Sequence, residues 1–88
     1  MNDIKNKQEK EIIAEQLMED LLKNKSVKLS PKFYLEINKV PNMDFMVVLE
    51  EKIITDIAVK GYFVKIFTDK PYFKQYLLEN YVDKIKVK

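Results

Sequence analysis

The run Pro41-Asn42-Met43-Asp44-Phe45-Met46-Val47-Val48-Leu49-Glu50-Glu51-Lys52 has two incompatible readings, and each gives the chain a different topology. Phe45, Val47 and Leu49 alternate with their neighbours, and the β-branched pair Val47-Val48 suits a strand. Pro41-Asn42 would then turn a β-hairpin. Yet Phe45, Val48 and Leu49 also share one helical face, with Asn42 placed to cap it and Asp44 in its first turn. No turn signal lies between Glu50 and Ile54, so two separate strands do not meet there. If Met43 to Lys52 is a helix, residues 32–88 spell β-α-β-β-α-β, the ferredoxin-like split βαβ arrangement. If it is a strand, the sheet is a β-meander closed by a helix and a final strand. Both are α+β. The ferredoxin-like sheet is the expected arrangement and the meander its alternative.

On the N-terminal side, Phe33, Leu35 and Ile37 alternate with Tyr34, Glu36 and Asn38, the period of a half-buried strand. Val27 to Ser30 reads as a short strand or a connector, and Pro31 opens the second half of the chain. Ahead of it no Gly or Pro interrupts residues 2–30. Ile13, Leu17 and Leu21 recur every four residues, widened by Ala14, Met18 and Leu22 into the stripe of an amphipathic helix. Asn2 or Asp3 can cap that helix, and Lys23 and Lys25 suit its last turn. The expected organisation is one domain over 1–88, with the helix in 1–25 and the sheet-containing core in 32–88.

On the C-terminal side, Ile53 to Lys60 is rich in Ile, Thr and Val and reads as a strand. Gly61, the chain's single glycine, is the residue freest to turn, so a hairpin is expected around it. Tyr62 to Thr68 follows as a strand. Thr68 or Asp69 caps a helix that takes Pro71 in its first turn. Phe73, Leu77 and Tyr81 share a face of that helix, with Tyr76 beside them. Asp83 to Lys88 reads as a last strand, reached by a crossover through the helix.

Composition excludes more than it assigns. The chain has 16 Lys, no Arg, no His, no Cys and no Trp. Without His or Cys there is no Ser-His-Asp or Cys-His nucleophile system, no ordinary structural zinc site and no disulfide framework. A lone glycine makes no phosphate-binding loop, and no carboxylate spacing matches a calcium loop. Glu50, Glu51, Asp56 and Asp69 are the carboxylates open to two-carboxylate chemistry. The adjacent pair Glu50-Glu51 reads instead as solvated charge. No catalytic, cofactor-binding or metal residue is expected. Residues 1–10 lack the apolar segment of a secretory signal, and no run approaches the ~18 apolar residues of a membrane span. A cytoplasmic location is expected. The net charge of +2 is too small to argue for nucleic acid by itself.

Lys60-Gly61-Tyr62-Phe63-Val64-Lys65-Ile66-Phe67 resembles the RNP1 octamer of RNA-recognition-motif domains, which runs basic-Gly-aromatic-small-aromatic-Val-x-aromatic. The likeness spans at most residues 32–88. It implies single-stranded nucleic-acid binding on a sheet face through Lys60, Tyr62, Phe63, Lys65, Phe67, Lys84 and Lys86. The small residue between the aromatics is missing here, so Tyr62 and Phe63 are adjacent and point to opposite faces. By the same alternation, Phe63 and Phe67 share a face with Lys65 between them.

The expectation is therefore a small non-enzymatic binding or regulatory module acting through protein–protein contact. Its size and composition suit an accessory or inhibitor protein of a phage or plasmid. Five Tyr and five Phe are a heavy aromatic load for so short a chain, and Tyr is enriched at interfaces. Ile13, Leu17, Leu21, Tyr72 and Tyr76 are the expected partner or homodimer surface.

Overall fold

The computed structural model describes residues 3–85. The apolar spacing near the N-terminus gives helix α1, Asp3–Asn24. Ala14, Leu17, Met18 and Leu21 are its buried stripe, at the i, i+3, i+4, i+7 positions of one helical face. Lys25 ends the helix in the left-handed region, at φ 71°. Its N–H donates to the Leu21 carbonyl at 2.7 Å, and its own carbonyl accepts from Ile37 N–H at 2.8 Å. The same residue thus closes the helix and ties it to the sheet.

Four strands follow: β1 (Ser26–Ser30), β2 (Phe33–Lys39), β3 (Val47–Ile54) and β4 (Val59–Phe67). They pair in sequence order as one antiparallel sheet. The chain is a meander between two helices, not the β-α-β-β-α-β order. The segment 43–52 supplies no helix, and its second part is strand β3. Burial shows why the alternating period prevails. Val47 and Leu49 are both buried against the helices, while Val48 lies on the opposite face beside Ile66. A helix would have placed Val48 and Leu49 together. The β2–β3 connection turns through Asn42 at φ 69°, a conformation Asn tolerates better than most residues.

The β3–β4 turn is built on Thr55 rather than Gly61. The Thr55 hydroxyl donates to the Ala58 carbonyl at 2.7 Å and accepts from Ala58 N–H at 3.0 Å and Ile57 N–H at 3.3 Å. A side chain that satisfies the turn's own backbone replaces the need for glycine. The expected strand over 53–60 is therefore split by this turn. Gly61 lies inside β4, opposite Lys52, and has no positive φ. A Cβ there would stand 3.1–3.3 Å from the end of the Lys52 side chain, so the glycine leaves room for that lysine to cross it.

Asp69 caps helix α2 (Lys70–Asn80) by accepting Tyr72 N–H at 3.0 Å, with Pro71 in the first turn. Phe73 and Leu77 are its buried face. The chain then makes a 3-10 turn over Val82–Lys84. Buried Tyr81 and Val82 are adjacent, which a turn accommodates and an alternating strand does not. The last strand expected over 83–88 therefore does not begin at Asp83, and residues 86–88 lie outside the described residues.

Both helices cover one face of the sheet, and the molecule is 18 Å along its shortest axis, the thickness of two layers. Between them, Phe67 meets Phe73 at 4.9 Å, Tyr76 at 5.2 Å and Tyr72 at 5.6 Å between ring centroids. Tilted and edge-on aromatic pairs at such distances contribute roughly 0.5–1.5 kcal/mol beyond their burial. Lys74 joins the helices by reaching Glu11 at 3.2 Å and Glu15 at 3.4 Å. Those two carboxylates, Glu11 first, hold its ammonium above the usual lysine range.

Candidate functional site

Cross-strand partners share a face of a sheet, so the register assigns every side chain of β4 to one side or the other. Phe67 lies opposite Val47, Lys65 opposite Leu49, Tyr62 opposite Glu51 and Lys60 opposite Ile53. These belong to the helix side. Ile66 lies opposite Val48, Phe63 opposite Glu50, Gly61 opposite Lys52 and Val59 opposite Ile54. These belong to the open side, which no helix covers. The register shifts at Leu49/Glu50, where Val64 is left without a partner. Such a β-bulge changes which face later residues occupy. It is why Phe63 and Phe67 do not share a face, against the alternation expected from sequence.

The open face has two halves of different character. Over β2 and β3, Lys52 reaches Glu50 at 3.4 Å and Glu36 at 3.9 Å. Its ammonium is held above the usual lysine range, by Glu50 first and then by Glu36. Over β4 the face is apolar. Phe63 is 64% exposed, Val59 51% and Ile66 49%, and Ile57 at the hairpin tip is 92% exposed. Three hydrogen bonds of Thr55 hold that tip in shape. An apolar side chain is thus presented on an ordered turn.

The outer edge of β4 completes the site. Thr55 N–H donates to the Ala58 carbonyl at 2.8 Å, and Ile54 N–H turns away from β4 to the Lys32 carbonyl at 2.8 Å. Bonded and non-bonded pairs alternate in an antiparallel ladder. By that alternation Val59, Gly61 and Phe63 point their amides away from β3. No described strand pairs with that edge. A long edge strand bearing apolar side chains and free backbone groups is a template for another extended chain.

The residues expected to bind a partner are divided by the fold. Leu17 and Leu21 are buried under the sheet, so the helix stripe is core rather than surface. Tyr76 is half-buried against Phe67 and Tyr81. Tyr72 keeps an exposed edge, with the Lys65 ammonium 5.8 Å from its ring centre. Ile13 lines a groove of about 380 Å³ between α1 and β1, with Ile12, Val27, Leu29 and Ile85. The aromatic load serves mostly to fill the core under α2.

The residues expected to hold nucleic acid are also dispersed. Phe67 is fully buried. Lys60, Tyr62 and Lys65 are on the helix side, Phe63 is alone on the open side beside Glu50, and Lys84 is in the 3-10 turn. Lys86 lies outside the described residues. Among the candidate carboxylates, Glu50 pairs with Lys52, Asp69 caps α2, and Asp56 is exposed on the hairpin turn. Glu51 accepts the Tyr81 hydroxyl at 2.6 Å. Burial, and then the Glu51 carboxylate, push the Tyr81 phenol far above its ordinary range.

Sequence reasoning missed Ile57, Val59 and Ile66. Their signal was present as β-branched residues flanking Gly61, but placing the turn at Gly61 put Ile57 and Val59 inside a strand. No helix among the described residues is long and apolar enough to cross a membrane. No group of three or more acidic or other metal-binding side chains that could hold an ion occurs among them. No protein-family model matches the chain, and comparison with curated proteins and with solved structures gives no match either.

Proposed function

We propose that this chain is a non-enzymatic module that binds protein through the β4 edge and the apolar half of the open sheet face. The observation that carries this reading is the row Val59, Phe63 and Ile66, exposed on a strand whose outer edge is unpaired among the described residues. Exposed apolar side chains that adjoin one another mark interaction sites more often than scattered ones do. Free amides on the same strand add directional bonding, as in recognition by strand addition. The carboxylates of Glu36 and Glu50 on the neighbouring half oppose a phosphate backbone, which favours protein over nucleic acid as the partner.

The test compares the native chain with a Phe63→Thr/Ile66→Thr double variant, which keeps strand-forming residues and sets no charge opposite Glu50. Both sites are solvent-exposed, so the two proteins should melt at the same temperature. Each is immobilised and exposed to host lysate treated with nuclease, and to the purified chain itself. A protein retained by the native chain and lost from the variant supports the reading. An identical retained set, or none, overturns it.

A further inference from the structure

We infer that the partner taken by β4 is a second copy of the same chain, joined by antiparallel pairing of residues 59–63 about a two-fold axis at Gly61. The inference rests on the protein-binding reading above and narrows it to one partner. Free edges can in principle pair in several registers, but β4 leaves few open. A two-fold axis perpendicular to the sheet keeps each face on its own side, so only residues of the same face can stand opposite each other. Centring the pair on Lys60 would set two ammonium groups face to face, which is destabilising. Centring it on Tyr62 or Phe63 would draw the bulge at Val64 into the new ladder, where it breaks the pairing. Centring it on Gly61 avoids both.

That register is also complementary in chemistry. On the open face, Val59 of one copy meets Phe63 of the other, and the reverse. On the helix side, Lys60 meets Tyr62, so a cation lies against an aromatic ring at each end. Gly61 meets itself on the axis without a side chain between the backbones. The two Lys52 side chains that cross Gly61 differ from a facing Lys60 pair, since the repulsion between them is offset by Glu50 and Glu36 of each copy. Val59, Gly61 and Phe63 are the residues whose amides face outward, so the new ladder uses the groups left unpaired. The product is a continuous eight-stranded sheet with one apolar row running across the junction.

Tyr62 lies on the helix side, is 49% exposed and is suited to a charge test. Tyr62→Lys sets two ammonium groups opposite each other at both ends of the ladder. Tyr62→Glu sets a carboxylate opposite Lys60 instead. Sedimentation equilibrium of the native chain over a wide concentration range should show a monomer–dimer equilibrium. Tyr62→Lys should weaken it roughly tenfold or more, while Tyr62→Glu should leave it unchanged or tighter, even though Glu51, opposite residue 62 within each copy, makes the lysine variant the more stable monomer of the two. A native chain that stays monomeric overturns the inference. So does a dimer that both variants weaken alike or neither affects. If the native chain is monomeric yet still retains a different lysate protein through Phe63 and Ile66, the protein-binding reading stands without the second copy.

Discussion

Tyr81 is where a single side chain couples α2 to the sheet. Its ring is buried and its hydroxyl donates to Glu51 on β3 at 2.6 Å. Tyr81→Phe removes that bond and should cost about 1–2 kcal/mol in urea unfolding at pH 7. The phenol is held above its ordinary value in the folded chain, so the unfolded chain loses the proton first. The stabilisation is complete below the unfolded value of about 10 and declines above it. Melts at pH 8 and pH 11 should show a smaller alkaline loss for Tyr81→Phe than for the native chain. The two residues at positive φ are Lys25 and Asn42, while the glycine sits in a strand. Lys25→Gly should therefore stabilise by up to about 1 kcal/mol, since only glycine adopts that conformation freely. Gly61→Ala should change stability by less than about 1 kcal/mol. The strand gains a better residue, and the atom in the way is the flexible end of Lys52.

Among the elements, β4 is the longer of the two edge strands, nine residues against five in β1, and bears exposed apolar side chains. Hydrogen exchange reads this directly. Amides of Leu35, Ile37 and Leu49, in the two central strands, should be the slowest to exchange. Val59, Gly61 and Phe63 should exchange quickly in dilute protein, because their amides face outward, and slowly at high concentration when a second copy covers them. The apolar face of α1, the alternation of β2 and the capping of α2 at Thr68 or Asp69 were legible locally. Each depends on side chains within one turn or one strand of the residue concerned. The β3–β4 turn was not, because a threonine hydroxyl and a lone glycine compete for the same role. Their order is settled by which neighbour crosses Gly61, and that neighbour, Lys52, is on another strand. The bulge at Val64 was invisible for the same reason, since a one-residue shift exists only relative to β3.

In the whole molecule, α1 carries one of the faces that close the core. Leu17, Met18 and Leu21 are buried against the sheet, and burying each such side chain stabilises by roughly 1.5–3 kcal/mol. Together that approaches the ~5–15 kcal/mol of an entire domain. A chain beginning at Lys25 should therefore lack a cooperative thermal transition, which circular dichroism would show. The stripe on α1 was readable as an apolar face, but the sequence could not say whether sheet or partner covered it. The tyrosines divide: Tyr76 and Tyr81 pack into the core, while Tyr62 and Tyr72 keep about half of their surface exposed. Periodicity and composition determined the α+β class, the helix faces and the absence of His and Cys chemistry, because those are properties of neighbouring residues and of residue type. Tertiary structure decided that 47–54 is a central strand, that Phe67 is buried while Phe63 is not, and that no described strand pairs with the outer edge of β4. Those facts depend on which strands pair and in what register, and residues far apart in the chain set both.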